Sequence, residues 1–116
     1  MKMRISDATR KIREFRDARD WKQFHTPKDV ALSLVLEAAE VLEHFQWKTN
    51  EEVKAHVDHH RDEIGEELAD VMYWVLLMSH DLGVDIARAL EKKIQKNEQR
   101  YPVEKARGKH TKYDKL

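Results

Sequence analysis

The sequence predicts an all-α fold built around four helices, and three observations carry that expectation. Only three Gly and two Pro occur in 116 residues. Ala, Leu, Glu, Lys and Arg dominate, and these residues lose little on entering a helix. Apolar residues recur at helical spacing, and start signals stand at Thr26, Thr49 and Asp85.

Each element can be justified in order. Ile5, Ala8, Ile12, Phe15 and Arg19 share one face, which predicts a first amphipathic helix over 4–19. Asp20 to His25 forms a connector rich in rings, with Trp21, Phe24 and His25. Thr26-Pro27-Lys28-Asp29 reads as an N-cap, a Pro at the first helical position and an acid behind it. The second helix is therefore expected over 27–46. Thr49-Asn50-Glu51-Glu52 predicts a short helix to about 56. A polar stretch, His56 to Asp62, is expected to separate it from a third helix ending at His80 or Leu82, with Gly83 as the stop. Asp85 opens a fourth helix that ends near Arg100, before Pro102. Residues 1–102 read as one domain, and 103–116 as a polar, basic, loosely held tail able to close over a substrate.

Composition narrows the function classes. No cysteine occurs, which excludes a disulfide framework, a thiolate nucleophile and a zinc–thiolate site. No apolar run reaches the roughly 18 residues that cross a bilayer, and the first residues lack the apolar core of a signal peptide. A soluble cytoplasmic protein is expected, with no membrane partner. Net charge is zero, yet residues 1–29 carry nine basic and five acidic groups, residues 30–90 four and thirteen, and residues 91–116 nine and four. An acidic centre flanked by cationic ends suits a metal-bound polyphosphate. It does not suit nucleic acid, which requires a continuous basic face.

The acids of that centre sit in the wrong company. Glu37 and Glu40 lie within Val30–Phe45, an otherwise apolar run. Glu67 and Asp70 open a second one, directly before Val71-Met72-Tyr73-Trp74-Val75-Leu76-Leu77-Met78. Carboxylates three apart share one helix face. If the two faces met, each pairwise repulsion at about 5 Å and an effective dielectric of about 20 would cost roughly 3 kcal/mol. Protons or multivalent cations must offset that charge. No Lys or Arg occurs between Val30 and Trp47, so pairing within that helix is not available. A di-iron bundle would need Glu-x-x-His, which occurs nowhere in the chain. Oxygen ligands alone point to Mg²⁺, with Mn²⁺ as a substitute.

Other constellations are weaker. Glu43, Glu63 and Glu66 read as a solvated acidic face, although Glu63 precedes Glu67 by one turn. His56, His59 and His60 with Asp58 have transition-metal spacing, but their polar stretch favours solvated side chains. Trp21 and Trp47 stand at helix boundaries, suited to capping a bundle or to stacking on a nucleobase. Lys93, Lys96 and Arg100, with Asn97 among them, lie on adjacent turns of the last helix. Helices two and three are apolar on nearly every face, more than one chain of this length can cover. A homo-oligomer with a shared helical core is expected, either a dimer or a tetramer.

Together these residues form a recognisable pattern. Arg19-Asp20-Trp21-Lys22-Gln23-Phe24-His25, Glu37-x-x-Glu40, Phe45-Gln46-Trp47, Glu66-Glu67-x-x-Asp70, Lys93 with Asn97, Arg100-Tyr101-Pro102 and Lys112-Tyr113 occur in this order. The chain resembles the all-α nucleoside triphosphate pyrophosphohydrolases of the MazG-like group, and most closely their dCTP pyrophosphatase branch. The resemblance runs from about residue 12 to 113 and implies the bundle-like fold of that group. It implies that Glu37, Glu40, Glu67 and Asp70 hold Mg²⁺. It further implies that Trp21, His25, Trp47 and Trp74 form the base pocket. Lys93, Asn97 and Tyr101 would reach the phosphates, from a neighbouring subunit in an oligomer. Animal members carry a His in the first helix where Ile12 stands, and a Tyr where Trp74 stands, so the base preference is left open.

The reaction so implied is NTP + H₂O → NMP + PPi, by attack at the α-phosphorus. A metal-bound water, or one oriented by a free carboxylate oxygen of Glu37 or Glu40, would be the nucleophile. Without a Walker loop, the phosphates would be held by metal and Lys rather than by a glycine-rich nest. Two rivals belong to other classes: a non-catalytic nucleotide-binding or regulatory subunit with this fold, and a structural helical oligomer with protonated or paired carboxylates.

Overall fold

The computed structural model describes residues 2–116 and divides them into two compact units, residues 2–83 and 84–116. All regular structure in the described residues is helical. The first unit holds α1 (Ile5–Ala18), a 3-10 turn (Lys22–Phe24), α2 (Pro27–Glu43) and α3 (Asn50–Asp81). Its helix starts are locally encoded. Thr26 accepts from the Asp29 amide at 3.2 Å, with Pro27 in the first helical position. Thr49 and Glu52 cap each other, Glu52 N donating to Thr49 Oγ1 at 3.2 Å and Thr49 N to Glu52 Oε1 at 3.0 Å.

One boundary departs from expectation. α2 closes at Glu43 rather than 46, and residues 44–47 form a turn in which Trp47 has φ 66°. The break expected within 56–62 falls at His60, whose backbone leaves the helical region (φ −127°, ψ 27°) and divides α3 into two helical segments across a kink. The kink has a local cause: His59 Nδ1 bonds the Ala55 carbonyl at 2.8 Å, a side chain inserted into the i→i−4 ladder.

α2 and α1 both pack against α3. Val30, Leu76 and Leu77 are the buried apolar residues among those described, at 4 % exposure or less. The innermost residue of α1 is Arg16, 1 % exposed, which stands beside the expected apolar stripe rather than within it. It reaches Asp81 at the end of α3 through two hydrogen bonds, Nη1 to Oδ2 at 2.7 Å and Nη2 to Oδ1 at 3.0 Å. Leu32, Val35, Leu36 and Leu42 on α2, and Leu68 and Met72 on α3, are at least half exposed.

The second unit comprises α4 (Ile86–Arg100), α5 (Val103–Ala106) and a terminal 3-10 turn (Tyr113–Lys115). Asp85 caps α4 by accepting from the Arg88 amide at 3.1 Å. Residues 103–116, expected as a tail either ordered on binding or loosely held, carry α5 and the 3-10 turn. Tyr113 packs edge-on against Tyr101 at 6.0 Å, and the Arg100 guanidinium lies over its ring at 4.4 Å.

Candidate active site

α2 carries Glu37 and Glu40 one turn apart, and α3 carries Glu67 and Asp70 in the same relation. Packing of α2 on α3 brings the pairs together: one oxygen from each carboxylate lies within 4.8 Å of all the others. Two opposite ligands on an octahedral ion with bonds of about 2.1 Å are roughly 4.2 Å apart, so the cluster is close to the size of a metal shell. Glu37 and Glu67 are half-buried, whereas Glu40 and Asp70 are exposed on the open side.

The electrostatics ask for positive charge. None of the four acids is in an ion pair among the described residues. Glu37 Oε2 and Glu67 Oε2 are buried without a hydrogen-bond partner. Contact with the Glu40 carboxylate, then burial, then the charges of Glu40, Asp70 and Glu37 push Glu67 up to about 7. Burial, followed by the contact and charge of Glu40 and the charge of Asp70, raises Glu37 as well. Two orphaned carboxylate oxygens in an all-oxygen donor set fit a hard divalent cation.

Aromatic side chains form a connected wall beside this cluster. Trp74 follows Asp70 by one turn and meets His25 edge-on at 5.4 Å and Tyr73 at 5.1 Å. Tyr73 contacts Phe15 at 6.5 Å, and Phe15 contacts Trp21 at 5.7 Å. Three of the four expected base-pocket rings, Trp21, His25 and Trp74, are thus linked through Phe15 and Tyr73. The sequence reading missed both linkers, because each looks like ordinary helix-face packing. Trp47 stands apart, 92 % exposed and without an aromatic contact among the described residues.

Two cavities adjoin the wall. One, of about 310 Å³, is lined by Lys22, His25, Val30, Met78 and Asp81 among others. Burial and the nearby Arg16 charge lower the His25 pKa, so its ring is neutral at physiological pH. The other, about 230 Å³ and mostly apolar, is lined by Ile12, Ala69, Met72, Tyr73 and Leu76 among others, next in sequence to Asp70. Lys93, Asn97 and Tyr101 belong to the second unit, spaced one turn apart along α4 and its C-cap.

Comparison with known proteins gives this arrangement relatives. The profile of the MazG-like family matches residues 32–116. The dCTP pyrophosphatase 1 proteins of Rattus norvegicus and Homo sapiens are 40 % and 37 % identical over 114 residues, spanning 97 % of this chain and 67 % of theirs. The crystal structure of a pyrophosphatase from Archaeoglobus fulgidus superposes with a TM-score of 0.81 at 35 % identity, covering 88 % of this chain and 95 % of that one.

Proposed function

The chain belongs to the MazG-like family and is a nucleotide pyrophosphohydrolase, and from that premise we propose that it hydrolyses dCTP or a modified dCTP to the monophosphate and pyrophosphate in a Mg²⁺-dependent reaction. The observation that supports this best is the convergence of Glu37, Glu40, Glu67 and Asp70, two of them with orphaned buried oxygens. These four would hold Mg²⁺, or Mn²⁺ in its place. The ion supplies charge neutralisation of the triphosphate and of the transition state.

The chain's own residues do the rest. A free oxygen of Glu37 or Glu40 orients a water for attack on the α-phosphorus and accepts its proton. Exposed carboxylates on the open side of the cluster leave room for that approach. Trp21, His25, Trp47 and Trp74 contact the base, with Trp47 the ring whose exposure leaves both faces open for stacking. Lys93, Asn97 and Tyr101 would reach the phosphates from a neighbouring subunit, a cation and two neutral donors offsetting the charge of the leaving pyrophosphate. Such an enzyme clears unwanted deoxycytidine nucleotides from the cytoplasmic pool. Among the described residues no helix is long and apolar enough to cross a membrane.

The assay is direct. Incubation with each dNTP and Mg²⁺ should release monophosphate and pyrophosphate in equal amounts, fastest with dCTP or its base-modified forms. Binding without turnover of any dNTP would overturn the catalytic reading in favour of a nucleotide-binding subunit.

The exposed apolar residues of α2 and α3 support association of identical chains, since single chains seldom leave so continuous an apolar surface in water. A homodimer or homotetramer with these helices in the shared interface is the assembly proposed. Light scattering at micromolar concentration should give two or four times the 13.8 kDa chain mass; a monomer would sink the assignment.

A further inference from the structure

A histidine cluster in the first unit lies outside the residues assigned to the nucleotide chemistry. His44, at the C-cap of α2, sets its Nδ1 2.8 Å from Nε2 of His56 on α3. His60, one turn further along α3, stacks on His56 with ring centres 4.3 Å apart and planes 25° apart. Its own Nδ1 lies 2.9 Å from Glu63 Oε2. All three imidazoles are half-buried. The sequence spacing pointed to His56, His59 and His60; folding substitutes His44 for His59, whose ring is engaged with the Ala55 carbonyl.

Two ring nitrogens aimed at each other from different helices share one proton, and the same pair of lone pairs can hold a metal. Imidazole nitrogens at 2.0–2.1 Å from a tetrahedral ion are about 3.3 Å apart. To admit one, the His44 and His56 nitrogens must move apart by about half an ångström and the rings must turn so that both lone pairs converge on the ion. His60 donates its Nδ1–H to Glu63, which leaves Nε2 as the basic nitrogen, as a carboxylate does behind many metal-bound histidines. A side-chain rotation of His60 within the stack would bring that nitrogen in as a third ligand. The chemistry differs from that of the carboxylate cluster, because imidazole favours Zn²⁺, Ni²⁺ or Cu²⁺ over Mg²⁺.

We propose that His44, His56 and His60 form a second metal site, for Zn²⁺ or a similar borderline transition ion, supported by Glu63 and separate from the carboxylate site. A bound ion ties the end of α2 to the first half of α3, across the turn that carries Trp47.

The test titrates the untagged full chain with Zn²⁺ under excess Mg²⁺, read by competition with a chromophoric chelator and by melting temperature. One Zn²⁺ per chain should bind and raise the melting temperature. His56→Ala and His44→Gln should each weaken binding by about tenfold or more, whereas His59→Ala and Glu40→Gln should leave it unchanged. Circular dichroism of each variant separates loss of a ligand from loss of fold. No Zn²⁺ binding under excess Mg²⁺, equal affinity in a folded His56→Ala protein, or loss of binding in Glu40→Gln would each overturn the site.

Discussion

Glu67→Gln is expected to lower kcat by about 10²–10³-fold, the usual loss when one charge-stabilising group leaves an active site, while raising the melting temperature of the metal-free protein at pH 8. The opposed signs come from one cause. Glu67 is half-buried with an orphaned oxygen among three other acids, and its pKa of about 7 lies well above the ordinary 4.5. The folded state therefore favours the protonated form. Its stabilising contribution is full below the unfolded carboxylate pKa and is lost as pH rises through about 7.

The metal-free wild-type protein should thus melt at progressively lower temperature from pH 5 to pH 8, and Gln should flatten that slope. Mg²⁺ acts in the reverse sense. It needs the deprotonated acids, so its stabilisation should be larger at pH 8 than at pH 5.5 and largely absent in the variant. Differential scanning calorimetry with Mg²⁺ and with EDTA measures all four states. A pH-independent melting temperature in EDTA, or wild-type turnover by Glu67→Gln, would refute the assignment of this acid to the metal shell.

Asp81→Asn should carry the largest stability penalty of any conservative substitution, about 3 kcal/mol, the lower end of the range for breaking a buried ion pair. Arg16 is 1 % exposed and bonds both oxygens of Asp81, while its Nε has no hydrogen-bond partner. Removing the anion leaves an enclosed guanidinium with only the long 3.9 Å contact of its Nε to the exposed Asp17 as compensation. Asp81 retains 20 % side-chain exposure, so some water relieves the loss and places the estimate at that lower end. In a domain of this size the change corresponds to a fall of about 10 °C in melting temperature. The double variant Arg16→Met/Asp81→Leu should recover most of it, because apolar groups of similar volume satisfy the same space without desolvating charge. Urea denaturation of the three variants checks the order. A single variant as stable as wild type would mean that the pair contributes only packing.

Local rules explain most of what could be read from the residues. Thr26, Thr49 and Asp85 cap their helices through contacts that span three residues. Glu37 with Glu40, and Glu67 with Asp70, each project from one face of their helix because three residues are nearly one turn. Such features depend on neighbours in the chain, and the sequence lists those neighbours. The break expected within 56–62 is narrowed to His60, where non-helical backbone divides α3 beside the His59 contact to the Ala55 carbonyl.

By itself, the sequence determined the all-α class, the helix starts, the two carboxylate pairs and the family. Tertiary structure alone decided that the pairs meet within 4.8 Å, that Arg16 rather than an apolar neighbour lies innermost on α1, and that His44 rather than His59 joins His56. It also decided that Phe15 and Tyr73 link the rings beside the acids. The division follows from range. A cap or a face is set by residues within one turn, whereas a shared proton, an orphaned oxygen or a buried guanidinium depends on which distant side chain the packing of α1 and α2 on α3 brings near.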